Sequence, residues 1–275
     1  MNALAAAGVG LLGLALMLAW ALWRQRRRNA ALQRRLDLAD AELQQLQQAC
    51  ARLAPAGVVD RMLADGLRGG AAELPFERRE VTVLFSDLVG FTALSEQLDP
   101  AVLARVLDGY FQRISDAVHA HSGHVSTWLG DGMLAYFGAL RPNPWQCADA
   151  VRCALAMAGA IRRYNEELAR EGLPPLALGI GIHRGPGLAG MIGSRERREY
   201  GFVGRTVNLA ARVQTLTRTH GVEILVTEAV RAGIGDAFVL RAMPAERVKG
   251  IEQPVLTWAV LDVAGADPAG DVQHP

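Results

Sequence analysis

Apolar and polar positions change rhythm three times along the chain. From Ala3 to Trp23 there is neither a charge nor a proline. Twenty-one residues rising about 1.5 Å each span roughly 31 Å, the thickness of a bilayer core. Arg24, Arg26, Arg27 and Arg28 follow at once, and Trp20 and Trp23 sit where an interfacial anchor belongs. A cleaved signal peptide carries its positive charge ahead of a shorter apolar run. Charge placed after the run predicts a retained transmembrane helix over residues 1–23, its carboxyl side cytoplasmic; a buried soluble helix is the competing reading. With two residues ahead of the span, no extracytoplasmic sensor domain is expected.

The second rhythm runs through Leu32, Leu36, Ala39, Leu43, Leu46, Cys50 and Leu53, alternately four and three residues apart. That is a heptad seam. Residues 24–54 are therefore expected to form a basic juxtamembrane segment and a short parallel coiled coil, in which Cys50 faces its twin. A single amphipathic helix packed on the next domain would show the same pattern. Pro55 and Gly57 end the helix, and residues 55–78 read as a linker.

From Arg79 the pattern becomes that of a folded domain, 79–262, with a loose Gly/Pro/Asp-rich tail over 263–275. Val81-Thr82-Val83-Leu84-Phe85 is a continuous β-branched and aromatic run, as in a strand buried on both faces. Pro100 opens a helix with Leu103, Val106, Leu107, Tyr110, Phe111, Ile114 and Val118 on one stripe. His124–Trp128 and Met133–Phe137 flank Gly130-Asp131-Gly132 as a tight hairpin. A long helix is expected over Trp145–Glu171, a strand over Pro175–His183 and a helix over Gly204–Arg218. Further strands are expected over Glu223–Thr227 and Val255–Val260. The order β-α-β-β-α-β predicts an α+β, ferredoxin-like sheet with helices on one face.

Composition narrows the function classes. Half of the 275 residues (51%) are hydrophobic, and 29 basic residues meet 28 acidic ones. So much apolar surface with so little net charge excludes a disordered chain. It also supplies no charge excess for wrapping nucleic acid, so no nucleic-acid partner is expected. Cys50, Cys147 and Cys153 make neither a disulfide framework nor a zinc set. Every basic residue but Lys249 is an arginine.

Two carboxylates carry the candidate chemistry. Asp87 ends the first strand and Asp131 tips the hairpin, strand ends that can lie side by side in a ferredoxin-like sheet. Either could be a simple turn former; converging, they suit Mg²⁺. The segment Leu88-Val89-Gly90-Phe91-Thr92 enters a helix whose first N–H groups could hold phosphate oxygens. Asn208 and Arg212, four apart, share a helix face outside the apolar stripe of Val207, Leu209, Ala210 and Val213. They fit a phosphoryl-transfer site or a solvated helix face.

Ser86-Asp87-Leu88-Val89-Gly90-Phe91-Thr92, Leu129-Gly130-Asp131-Gly132 and Val207-Asn208-Leu209-Ala210-Ala211-Arg212 resemble, in order and spacing, the core motifs of class III nucleotidyl (adenylate/guanylate) cyclases. Val248-Lys249-Gly250 resembles a fourth, and Leu53-Ala54-Pro55 resembles the segment that often precedes bacterial cyclase domains. The resemblance implies that Asp87, Asp131 and the Leu88 carbonyl hold two Mg²⁺ ions, with Mn²⁺ able to substitute. Gly90, Phe91, Thr92 and Lys249 would take the phosphates. Arg212 would steady the α-phosphoryl charge, and Asn208 would orient the ribose of ATP. The site would form between two chains of a homodimer joined through catalytic domain and coiled coil, on the cytoplasmic side of a bacterial inner membrane. The implied product is cyclic AMP. A turnover-dead nucleotide-binding module and a cyclase specific for GTP, or relaxed between the purines, are the alternatives.

Two positions depart from the family pattern. The residue four before the second aspartate, usually a purine-reading Lys, is Thr127, and its usual Asp or Thr partner is Gly201. Base reading would then fall to backbone groups, water or neighbours such as Trp128. Arg184-Gly185-Pro186-Gly187 is also rich in turn residues.

Overall fold

The apolar run around Val83 becomes the central strand of an eight-stranded sheet. The computed structural model describes residues 76–193, 198–248, 250–251 and 253–264, all within one compact unit. The expected membrane span and coiled coil lie outside these residues. Among the described residues, no helix is long and apolar enough to cross a membrane.

Strand β1 (Glu77–Leu88) lies between β3 (Gly132–Phe137) and β4 (Leu178–Gly193), with β2 (His124–Leu129) beyond β3. These four strands pair antiparallel in the order β2-β3-β1-β4, the ferredoxin-like core. The sheet continues past β4 through β6 (Ile224–Thr227) and β8 (Thr257–Val263) to β7 (Phe238–Ala242), while β5 (Arg198–Val203) pairs with β4 off this path. The helices are α1 (Phe91–Gln97), α2 (Pro100–Ala120), α3 (Gln146–Arg170), α4 (Arg205–His220) and α5 (Glu228–Ile234).

On one face Leu84, Leu88, Ile180 and Ile182 meet Tyr110 and Ile114 of α2 and Met157 and Ile161 of α3. On the other, Val81, Val83, Leu134 and Tyr136 meet Tyr200 and Phe202 of β5 and Ala210 of α4. Both faces of β1 are thus buried, which is why its sequence reads as an unbroken apolar run rather than an alternating one. The expectation of helices on one face is corrected: α4 covers the face opposite α2 and α3. The α2 stripe is as expected, and Asp99 caps the helix by accepting from the Ala101 N–H at 2.9 Å, with Pro100 in the first turn.

The strand expected over Pro175–His183 begins at Leu178, continues to Gly193 and is paired by β5, which the pattern did not predict. Arg184-Gly185-Pro186-Gly187 is not a turn; it runs beside Thr82–Arg79 of β1. Opposite β1, β4 bonds β6 at Ile180–Ile182 and β5 only from Leu188 onward. Pro186 falls in the gap between them, where β4 has no second neighbour needing an N–H. Helix α5 and strand β7 were also unpredicted, and the last strand begins at Thr257 because Val255 bridges to Glu246 instead.

Helix α4 sits directly on the backbone of β4. A Cβ at Gly181 would stand 2.1 Å from the Gln214 nitrogen and 2.8 Å from the Ala210 carbonyl oxygen, and one at Gly179 would stand 2.4 Å from the Thr217 hydroxyl. The neighbours of Gly181 are main-chain atoms that no rotamer change can move. Gly181→Ala should therefore destabilise the domain by roughly 3 kcal/mol, the upper end of the usual overpacking range. Gly159→Ala, inside α3 and facing only arginine tips at 3.6 Å or more, should stabilise by about 0.5–1 kcal/mol. Thermal unfolding of both variants checks the opposite signs.

Candidate active site

Asp87 is the penultimate residue of β1, in register with Gly179 under helix α4. The turn beyond it is anchored by the Val89 N–H, which donates to the Ala177 carbonyl at 2.8 Å. The β2–β3 hairpin delivers Asp131 to the same end of the sheet. At Gly132 a Cβ would lie 3.3 Å from Asp87 Oδ1 and 3.1 Å from the Ser86 carbonyl, so the residue after Asp131 must be small for the tip to close on β1. The two carboxyl groups reach hydrogen-bond range of each other. The buried Tyr110 hydroxyl, its pKa pushed up by desolvation, donates to the Asp131 carbonyl at 3.1 Å and holds the tip from below.

Electrostatically the pair is frustrated. Burial first, and then the charge of Asp131, raise the Asp87 carboxyl from 3.8 to about 6. Arg218 opposes this from the last turn of α4. Its Nη2 donates to Asp87 Oδ2 at 2.8 Å and to the Leu88 carbonyl at 3.1 Å. Sequence reasoning missed Arg218: it lies 131 residues from Asp87, and only the docking of α4 brings it there. Among the described residues, no three His, Cys, Asp or Glu side chains cluster as a metal set. The donors at this point are two carboxylates and a carbonyl, all hard oxygens of the kind Mg²⁺ prefers. A guanidinium already bonded to two of them shows that the cluster attracts a cation.

The other expected site residues fall as follows. Gly90 caps α1 in the left-handed region (φ 77°) without a side-chain cap bond, which leaves the first N–H groups of that helix open. Phe91 packs against the larger core, and Thr92 is exposed. Asn208 and Arg212 are exposed on α4, with no hydrogen-bonding or ionic partner among the described residues. Ten residues separate Asn208 from Arg218, about 15 Å along the axis and about 80° around it, so α4 does not bring Asn208 to its own chain's aspartates. Lys249 lies outside the described residues.

Thr127 stands opposite Leu134, itself opposite Phe85, and so shares the sheet face of Asp87. Among the described residues its hydroxyl donates only to the Trp128 carbonyl, at 3.4 Å. Trp128 points the other way: its ring lies 4.4 Å from Phe111 on α2. The expectation that Trp128 helps read the base is therefore corrected. Gly201 is on β5, beside Gly190 and facing Ile192, with β3, β1 and β4 between it and Thr127 in the sheet.

A ferredoxin-like sheet with an aspartate pair at the end of its central strand, followed by a helix bearing Asn208 and Arg212, defines a nucleotidyl cyclase domain. The model of the adenylate and guanylate cyclase catalytic domain matches residues 75–262, and the chain belongs to that family. It is 31% identical over 212 residues to adenylate cyclase 1 of Rhizobium meliloti, covering 77% of this chain and 31% of that one. The crystal structure of the guanylyl cyclase Cya2 superposes with a TM-score of 0.66 at 35% identity, over 70% of this chain and 96% of that one. That of the adenylyl cyclase CyaB from P. aeruginosa gives 0.65 at 29%, over 69% and 97%. The chain spans between 31% and 40% of the length of the curated relatives it matches.

The raised carboxyl has a measurable consequence. Between pH 3.8 and about 6 the folded metal-free protein keeps a proton on Asp87 that the unfolded chain has lost, so this group's contribution to stability falls as pH rises through that window. Metal-free Asp87→Asn should unfold at a higher temperature than the parent above pH 6, and the difference should shrink toward pH 4. Melting curves in chelator across this range check the sign.

Proposed function

We propose that the protein is an adenylate cyclase, converting ATP to 3′,5′-cyclic AMP and pyrophosphate at two equal sites shared between the chains of a homodimer. The observation that carries this reading is the division of labour on α4. Arg218 turns inward to its own Asp87, while Asn208 and Arg212 face solvent with no partner in their own described chain. A site needing both the carboxylates and this exposed pair is completed by a second copy.

Asp87, Asp131 and the Leu88 carbonyl would hold two Mg²⁺ ions, or Mn²⁺ in their place. When bound, these ions neutralise phosphate charge and lower the pKa of the ribose 3′-hydroxyl. The open N–H groups at Gly90, Phe91 and Thr92, with Lys249, take the phosphate oxygens. From the second copy, Asn208 holds the ribose so that its 3′-oxygen lies in line with the α-phosphorus. Arg212 balances the charge that builds on the α-phosphoryl oxygens as pyrophosphate departs. Residues 1–23 anchor each chain in the bacterial inner membrane, and residues 24–54 align the two catalytic domains in the cytoplasm through a coiled coil.

Specificity is the weaker part of this site. Discrimination between purines comes largely from polar groups that the wrong base leaves unpaired. Thr127 offers one short hydroxyl that can donate or accept, and Gly201 offers no side chain. With purified protein, Mg²⁺ or Mn²⁺ and each nucleotide, ATP should be preferred, with measurable GTP turnover. The kcat/KM ratio should fall below about 10⁴, the level reached by sites built around specific hydrogen bonds. Thr127→Lys alone should change it little, and Thr127→Lys with Gly201→Asp should raise it. No turnover of either nucleotide would favour a regulatory nucleotide-binding module instead.

The shared site has its own test. Asp87→Ala and Arg212→Ala should each abolish turnover, because each lesion strikes both sites of a symmetric dimer. An equal mixture that exchanges subunits should recover about a quarter of parental activity, since half the dimers carry one intact site. No recovery under conditions of proven exchange would remove the interfacial assignment.

A further inference from the structure

We infer that Arg218 is a built-in counterion of the carboxylate site, occupying in the metal-free chain the position that a divalent cation takes from it. This rests on the reading of Asp87, Asp131 and Leu88 as metal donors, and adds to it a residue that competes with the metal. Two carboxylates in hydrogen-bond range raise each other's energy when ionised, and Asp87 is partly desolvated as well. The Arg218 Nη2 meets Asp87 Oδ2 at 2.8 Å and the Leu88 carbonyl oxygen at 3.1 Å. It thereby turns two of the three donor oxygens toward one point.

A guanidinium and a divalent cation directed at the same two oxygens repel each other and compete for the same space, so Arg218 gives way as a cation binds. The fold makes leaving cheap. The Arg218 side chain is 49% exposed against 30% for Asp87, and ion pairs this open to water are worth about 1 kcal/mol or less. The helix beneath it need not move: α4 is pinned on Gly179 and Gly181, and its end is closed by Gly221 in the left-handed region (φ 62°), whose N–H donates to the Thr217 carbonyl. Arg218 acts through Asp87 and Leu88, so it is a positioning residue. It keeps the donors together before loading and sets the cation concentration needed to load them.

Mn²⁺ binding to the purified full-length protein without nucleotide, followed by electron paramagnetic resonance, tests this separately from turnover. Arg218→Met keeps most of the stem and removes the charge. It should bind Mn²⁺ about fivefold more tightly than the parent, the factor that an exposed ion pair of this kind represents. Its metal-free melting temperature should be lower, and the rise on adding Mn²⁺ larger. Arg218→Lys should restore most of the parental values, and Arg218→Gln carries the expectation of the Met variant if that protein does not fold. Unchanged or weaker Mn²⁺ binding by the uncharged variants, while Asp87→Ala abolishes binding, would overturn the role of Arg218 and leave the metal reading standing. Binding that survives Asp87→Ala undiminished would remove the metal reading, and this inference with it.

Discussion

Helix α4 packs backbone against backbone on β4, because Gly179 and Gly181 present no Cβ where Ala210, Gln214 and Thr217 come down. Contact this close fixes not only the distance but the rotation of the helix about its axis, since the side chains on either side of the seat have one way to point. Ala210, Val213 and Gln214 turn inward, Asn208 and Arg212 outward, and Arg218 toward the end of β1. The seat also closes the second face of the sheet. With α2 and α3 on the other side, β1 is enclosed on both faces, and the carboxylate at its end is partly desolvated.

That enclosure gives the aspartate pair its chemical character. A lone carboxylate at an exposed strand end titrates as in a peptide; Asp87, partly desolvated and facing Asp131, is held in a state that a cation relieves. The surrounding groups maintain the proximity rather than relax it. Gly132 lets the hairpin tip approach, Tyr110 holds the tip through the Asp131 carbonyl, and the Val89–Ala177 hydrogen bond stops the strand end from turning away.

Overall similarity does not decide which purine such a site takes. Structures named for a guanylyl cyclase and for an adenylyl cyclase superpose on this chain almost equally well, because the fold of the sheet and its helices is common to both. At the two positions proposed to read the base, on β2 and β5, the chain carries Thr127 and Gly201.

Local pattern was enough for much of this protein. The unbroken apolar run at Val81–Phe85, the 3.6-residue stripe from Leu103 to Val118 and the Gly-Asp-Gly turn each bury or bend the chain in only one sensible way, and the motif residues stand out by their resemblance to the cyclase family. Other features depend on what lies alongside. Pro186 reads as a turn former, yet sits in a strand because β4 lacks a second neighbour at that point. Trp128 follows Thr127 in sequence but faces α2, since successive strand residues point to opposite sides. The rotation of α4, and with it the meeting of Arg218 and Asp87, is set by contacts between segments far apart in the chain. Sequence by itself marked the candidate residues, through strand ends, helix spacing and resemblance to the cyclase motifs. Only the tertiary structure decided which of them face one another, because the side of a helix or strand that is covered depends on the surface it packs against.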